Sequence, residues 1–145
     1  MASGGRPNAL FVQAAVENLP PEMNGVADEI HIHFPWGSLL AAVANGDARV
    51  LGNLRRICVP GASLEVMIGL DLERDRTEME RLGIAPMTRD YVDTVLAARY
   101  RQAGFELLPA SRLPAAWPQT TWAKRLRGGD GRRLFYIAGR LRGVR

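Results

Sequence analysis

A short run of residues that could form a ligand site follows a predicted strand in the first quarter of the chain. Residues 29–34 alternate between polar and apolar types, which predicts a strand, and Pro35 stops it. In open α/β sheets, ligands bind beyond the carboxyl ends of the strands. We therefore expect a binding site at this strand end, formed by Phe34, Pro35, Trp36, Gly37 and Ser38.

A second candidate is Glu17, which follows an apolar segment at residues 9–15. A carboxylate can accept a hydrogen bond from a ligand, and the apolar side chains of Ala14, Ala15 and Val16 lie beside it in the sequence. The alternative is an ordinary surface carboxylate after a strand.

The sequence gives less support to a metal site or to a reactive thiol. His31 and His33 alternate on one strand face, but no Cys, Asp or further His supplies a plausible third ligand, so we expect no metal site. The single cysteine, Cys58, cannot form an internal disulfide or a zinc cluster and is expected to be a small buried apolar residue.

The positive charge of the chain is concentrated at its end. The whole chain carries a net charge of +4, yet residues 122–145 contain eight basic residues and one acid, Asp130. This distribution predicts a phosphate-binding surface. The alternative is a solubilising basic tail.

The elements that must position these residues alternate along the chain. Strands are predicted at residues 9–15, 29–34, 63–70, 105–108 and 134–138. Helices are predicted at residues 38–43, at residues 88–103 before Gly104, and after an Asp47 cap with an apolar face of Val50, Leu51, Leu54 and Ile57. Pro60-Gly61 is predicted to form a turn, residues 71–83 an exposed loop or short helix, and residues 111–121 a loop.

This alternation predicts an α/β fold with a three-layer sheet and helices on both faces. The 145 residues suit one domain, and 47% of them are hydrophobic, enough for a core. Because the N-terminus lacks a signal-type apolar run and residues 34–44 are too short to span a bilayer, we expect a soluble, cytoplasmic protein that binds no membrane.

Four segments resemble a known family: residues 14–21 (AAVENLPP), 28–40 (DEIHIHFPWGSLL), 51–66 (LGNLRRICVPGASLEV) and 120–126 (TTWAKRL). They are similar to the 16S ribosomal RNA adenine-1408 N1-methyltransferases that confer aminoglycoside resistance, which are class I enzymes dependent on S-adenosylmethionine. FPWGSLL is the most specific of these motifs. The resemblance runs from about residue 7 to residue 139 and implies a Rossmann-like class I methyltransferase fold.

The resemblance also implies roles for individual residues. Trp36 and Trp122 would stack on the target adenine, and a basic end of the same domain, residues 122–145, would face the 16S rRNA of the small ribosomal subunit. The residues implied in binding S-adenosylmethionine are Ala14, Ala15, Val16, Glu17, His33, Phe34, Pro35, Trp36, Gly37, Ser38, Thr120, Thr121 and Trp122. Those implied in binding RNA are Lys124, Arg125, Arg127, Arg132 and Arg133, with the choice between the last two for the backbone contact left open.

The chemistry implied by the resemblance needs few acid–base groups. N1 of adenine has a lone pair at neutral pH and can attack the sulfonium methyl directly, so catalysis would come mainly from positioning. The base must leave its stack to be reached, and stacking on an aromatic side chain contributes roughly 1–3 kcal/mol per base. The methylated ring is cationic, which aromatic faces favour by about 0.5–2 kcal/mol.

The sequence departs from the family by an absence. The Gly-rich D-x-G-x-G turn and the second strand ending in an acid are not found before residue 9, which amounts to about two βα units, roughly 60–70 residues. The domain at residues 1–145 is therefore expected to be partial. Met1 would then be a late start codon, a broken gene or the second half of a split protein, and the isolated chain should bind the cofactor poorly. Two alternatives remain: a class I methyltransferase of tRNA or a small molecule, and a non-catalytic RNA-binding remnant.

Overall fold

The computed structural model describes residues 7–109 and 132–143, and its centre is a four-stranded mixed sheet. The order is β1-β2-β4-β3, with β1 parallel to β2 and β4 antiparallel to both β2 and β3. The strands are β1 (Ala27–His33), β2 (Cys58–Asp71), β3 (Phe105–Leu107) and β4 (Arg132–Leu141). The carboxyl ends of β1 and β2 and the start of β4 therefore lie at one edge of the sheet, with Asp71 opposite Arg132.

Helices connect β1 to β2 and β2 to β3. They are α1 (Gly37–Asn45), α2 (Ala48–Ile57), α3 (Arg76–Arg81), α4 (Arg89–Tyr91) and α5 (Ala97–Gln102), with single 3₁₀ turns at Val16–Asn18 and Pro21–Met23. A π-helical segment, Val92–Leu96, joins α4 to α5, so the predicted helix at residues 88–103 is confirmed with a local widening. Within the described ranges, no helix combines the length and apolar character needed to cross a bilayer.

Local signals explain where α1 and α2 meet. Gly46 ends α1 with φ of 68°, a left-handed conformation in which glycine is the least strained residue. Asp47 then begins α2, and its Oδ1 accepts a 2.9 Å hydrogen bond from the Val50 amide, as the sequence predicts. The predicted apolar face of α2 is buried in full.

The core lies on one face of the sheet. Alternate residues of β2 point to opposite faces, and Leu64, Val66, Ile68 and Leu70 are each at most 1% exposed and share one hydrophobic cluster with the helices. Tyr100 of α5 is fully buried in the same cluster, and its hydroxyl donates a 2.8 Å hydrogen bond to the Val43 carbonyl of α1. This clustering holds the helices against the sheet.

The predicted strand at residues 9–15 is wrong. The segment is irregular, and Leu10, Phe11 and Val12 are 88%, 90% and 51% exposed. A short apolar run forms a strand only beside a hydrogen-bonding neighbour, and no described strand lies alongside this one.

The region around Pro60-Gly61 also differs from its prediction. β2 begins at Cys58, earlier than expected, and the predicted turn becomes an irregularity inside the strand. Ala27 of β1 lies opposite Cys58, and Glu29 lies opposite Ser63, so β2 carries extra residues at this point. The other predicted strands and helices in the described ranges are confirmed, although β4 is longer than expected and residues 71–83 contain α3.

Candidate functional site

The turn that follows β1 has an unusual backbone. Phe34 has φ of 54°, the one described non-glycine residue with a positive φ, and its amide donates a 2.7 Å hydrogen bond to the Met67 carbonyl. Gly37 follows with φ of 61° and begins α1. A left-handed phenylalanine costs backbone energy, and such residues concentrate at functional sites. The strain therefore supports a binding role for this strand end.

Trp36 lies in the middle of this turn, directly before α1. Its side chain is 50% exposed, although tryptophan usually buries most of its large apolar surface. An exposed indole at the edge where β1 and β2 end can stack on a planar ligand. The structure thus places Trp36 where a base or another flat group could reach it.

Glu17 and Ser38 meet in one cavity. Both line a space of about 670 Å³ between α1 and α2, together with polar and charged side chains that include Asn45, Asp47 and Arg99. The Asn53 side-chain amide donates to the carbonyls of Val16 and Glu17 at 3.0 and 3.1 Å, which fixes this part of the chain on α2. Two residues that the sequence assigns to one site, 21 positions apart, therefore line the same cavity.

The remaining residues of the predicted cofactor site lie in different parts of the structure. Ala14 and Ala15 are exposed, and they do not line this cavity. Phe34, Pro35 and Gly37 form the turn after β1. The His33 side chain lies with Glu65 and Tyr136 on the face of the sheet opposite the hydrophobic cluster, which we call the open face because these side chains are partly exposed. Thr120, Thr121 and Trp122 lie outside the described residues.

A polar cluster on the open face was missed from the sequence. His33 donates from Nε2 to Glu65 Oε1 at 2.6 Å, His31 Nδ1 lies 3.3 Å from the same oxygen, and the Tyr136 hydroxyl donates to Glu65 Oε2 at 2.6 Å. The expectation of no metal site considers Cys, Asp and His alone, although a glutamate carboxylate can also bind a metal. One feature of the sequence does point to this cluster: Glu65 is a single charged residue within the apolar run of β2.

The electrostatics of this cluster favour an ionised Glu65. Burial opposes the charged form, but hydrogen bonds from Tyr136, His33 and His31 together hold the pKa of Glu65 below its ordinary value. The hydrogen bond to Glu65 raises the pKa of His31 against the opposing effect of burial. Burial and the bond to Glu65 raise the pKa of Tyr136 to about 12, so this hydroxyl remains a donor at neutral pH.

Comparison with known proteins identifies the family. The family model described as "NpmA: 16S rRNA (adenine(1408)-N(1))-methyltransferase" matches residues 1–140. The chain belongs to this family. It is 38% identical over 135 residues to a 16S rRNA (adenine(1408)-N(1))-methyltransferase of Streptoalloteichus hindustanus, covering 90% of this chain and 61% of that relative. The chain thus spans about three-fifths of the length of this relative.

Solved structures of the family agree with the fold. The chain is similar to the 16S rRNA (adenine(1408)-N(1))-methyltransferase of Catenulisporales acidiphilia, with a TM-score of 0.77 and 32% identity, covering 98% of this chain and 67% of that one. A mutant of that enzyme solved with cosubstrate SAM gives a TM-score of 0.73 at 31% identity, covering 98% of this chain and 65% of that one. The Rossmann-like methyltransferase fold implied by the sequence is confirmed.

The predicted RNA-binding residues of this family member are only partly described. Lys124, Arg125 and Arg127 lie outside the described residues, and for Arg132 the structure describes the backbone, which pairs with Asp71. Arg133 is exposed and lines a cavity of about 400 Å³ together with Arg76 and Arg89. Three arginines, with Glu80 and several apolar side chains, thus line one concave surface near the end of β2. The sequence did not single out Arg76 and Arg89, which become neighbours of β4 only in the folded chain.

Proposed function

We propose that this chain forms the larger part of an enzyme that transfers a methyl group from S-adenosylmethionine to N1 of an adenine in 16S rRNA, giving resistance to aminoglycosides. The observation that carries this proposal is the arrangement at one edge of the sheet. The half-exposed Trp36 follows β1, and Arg133 lies near the start of β4, where β2 ends. An aromatic face and a cationic surface at one edge suit a base attached to a phosphate backbone.

The chemical types of the residues present fit the cofactor. The cavity that Glu17 and Ser38 line, about 670 Å³, lies within the size range of small-molecule sites, about 300–1,000 Å³. The Glu17 carboxylate would accept a hydrogen bond from the exocyclic amine of adenine, and the Phe34–Ser38 turn would hold the methionine part. When bound, S-adenosylmethionine supplies an activated methyl group on its sulfonium.

The residues of this chain would act by positioning. Trp36 would hold the extruded adenine by stacking and favour the positive charge that develops on the ring, while no side chain needs to remove a proton from N1 before attack. Arg76, Arg89 and Arg133 would bind phosphates, which set the orientation of the RNA rather than its sequence. Trp122 is proposed as the second stacking residue, and Thr120 and Thr121 as its neighbours at the cofactor.

A methylation assay tests this function. The chain, and a fusion that adds the portion of the Streptoalloteichus hindustanus relative that the chain does not cover, are incubated with small ribosomal subunits and methyl-labelled S-adenosylmethionine. We expect little transfer by the chain alone. The fusion should form N1-methyladenine in 16S rRNA, which blocks base pairing and stops reverse transcription at the modified base.

The full-length relative is the positive control, and Trp36→Ala in the fusion is the matched variant. Loss of one stacking contact of roughly 1–3 kcal/mol predicts a decrease of about 5- to 150-fold in transfer by that variant. The proposal is wrong if the fusion is folded and binds the cofactor but methylates no adenine of 16S rRNA, or if Trp36→Ala has no effect.

A further inference from the structure

The polar cluster on the open face of the sheet has the composition of a metal site. We propose that His31, His33 and Glu65 bind one divalent transition-metal ion, with Zn²⁺ as the physiological candidate. This inference does not depend on the proposed methyl transfer, because it concerns the open face of the sheet and its readout is metal binding.

The positions of the ligand atoms carry the inference. His31, His33 and Glu65 each offer one ligand atom, and these atoms all lie within 4.8 Å of one another. Glu65 Oε1 is 2.6 Å from His33 Nε2 and 3.3 Å from His31 Nδ1. In a tetrahedral site with bonds of about 2.0–2.1 Å, ligand atoms are separated by roughly 3.3 Å. Small side-chain adjustments therefore admit an ion among the three atoms.

Two outer partners orient these ligands. If His31 binds through Nδ1, its Nε2–H faces Glu29 Oε2 at 3.4 Å, an arrangement in which a carboxylate fixes the tautomer of a metal-binding imidazole. The Tyr136 hydroxyl holds Glu65 Oε2 at 2.6 Å and leaves Oε1 directed at the histidines. Glu29 is 67% exposed, so the shorter, partly buried contact from Tyr136 is the firmer of the two.

The backbone that carries the ligands is regular. His31 and Glu65 are direct register partners across the parallel pair β1 and β2, and His33 follows two residues later on the same face. Ligands on paired strands keep their separation better than ligands on loops. A bound ion would tie β1 to β2 and, through Tyr136, to β4.

The donor set and its exposure select the kind of ion. Two imidazole nitrogens and one carboxylate oxygen suit Zn²⁺, Ni²⁺ or Cu²⁺, whereas Ca²⁺ and Mg²⁺ prefer oxygen ligands alone. The side chains of His31, His33 and Glu65 are 49%, 31% and 23% exposed. Solvent can therefore reach the site, and water can complete the coordination.

The test is titration of the untagged chain, treated first with a chelator, with Zn²⁺ by calorimetry and with Co²⁺ by visible absorption. We expect one ion per chain and the absorption of a four-coordinate Co²⁺. The single variants H31A, H33A and E65Q should lose this saturable binding. Tyr136→Phe, which removes only an outer partner, should bind about 10–100-fold more weakly.

Glu106→Gln is the matched control, because Glu106 is an exposed carboxylate on β3 that does not belong to the cluster. It should bind Zn²⁺ like the unaltered chain. Circular dichroism confirms that each variant is folded, and a variant that is not folded is replaced by His33→Gln or by Tyr136→Phe. The proposal is overturned if the unaltered chain shows no saturable binding of one ion, or if folded E65Q and H33A retain its affinity.

Discussion

The two faces of β2 differ sharply although their residues alternate along one strand. Leu64, Val66, Ile68 and Leu70 lie on the helix-covered face and are almost fully buried. Glu65, between two of them, lies on the open face and binds His33 and Tyr136 through hydrogen bonds. The apolar face provides the folding energy, because burial of large side chains is the main favourable term. The partly exposed polar cluster around Glu65 contributes little to folding, which leaves these side chains available for binding.

The largest effect that this comparison predicts comes from Leu64→Ala. Leu64 is 1% exposed in the cluster between sheet and helices, so truncation leaves a cavity and should lower the free energy of unfolding by about 2–5 kcal/mol. This free energy is measured by urea denaturation, with circular dichroism as the signal. The matched control is Leu10→Ala, at a side chain that is 88% exposed, which should change the value by less than about 0.5 kcal/mol. Equal effects of the two changes would contradict the comparison.

A smaller effect comes from removing one hydroxyl on each face. Tyr100→Phe leaves the buried Val43 carbonyl without its tyrosine partner and should cost about 1–3 kcal/mol of unfolding free energy. Tyr136→Phe should cost less than about 1 kcal/mol, because water can replace the lost donor at the partly exposed Glu65. Each variant lacks one tyrosine hydroxyl oxygen. The ratio of the two losses of unfolding free energy therefore reports the effect of burial. A larger loss for Tyr136→Phe would show that the open face is more important for stability than we infer.

The smallest effect is expected for Glu65→Gln in the presence of a chelator. The amide keeps one oxygen acceptor, and exposed or partly exposed ion pairs contribute only about 0–1 kcal/mol. We therefore expect the free energy of unfolding to change by about 0.5 kcal/mol in denaturation experiments. A loss comparable to that of Leu64→Ala would place Glu65 among the residues that hold the fold together.

The sequence predicted the elements whose signals are local. The Asp47 cap and the apolar face of α2 depend on residues within one helix, and the alternation at residues 29–34 depends on one strand. The failure at residues 9–15 has a different origin, since a strand requires a neighbour that the local pattern does not specify. The same limit applies to the irregularity at Gly61, where the pairing of β1 with β2 determines the outcome.

The candidate site was predicted in part for the same reason. The Phe34–Ser38 turn and the acidic Glu17 are each visible in a few consecutive residues, and their roles came from resemblance to a family. The contacts of Glu65 with His31, His33 and Tyr136 join three strands, with separations of up to 71 residues, and depend on register. The arginines around the cavity near Arg133 likewise come together only through the order of the sheet.

The outer edge of β1 has a consequence for amide hydrogen exchange. The amides of Val26 and Phe34, at even-numbered positions flanking β1, donate to the carbonyls of Ile57, directly before β2, and of Met67 in β2, and the strand alternates between them. The odd-numbered amides of Glu29, His31 and His33 therefore point to the other side, where no described strand lies. In deuterated water, exchange along β1 should be fast at odd positions and slow at even ones. Any partner strand that adds to this edge would slow exchange at the odd-numbered amides. The alternation would then disappear at each residue that the partner strand pairs with.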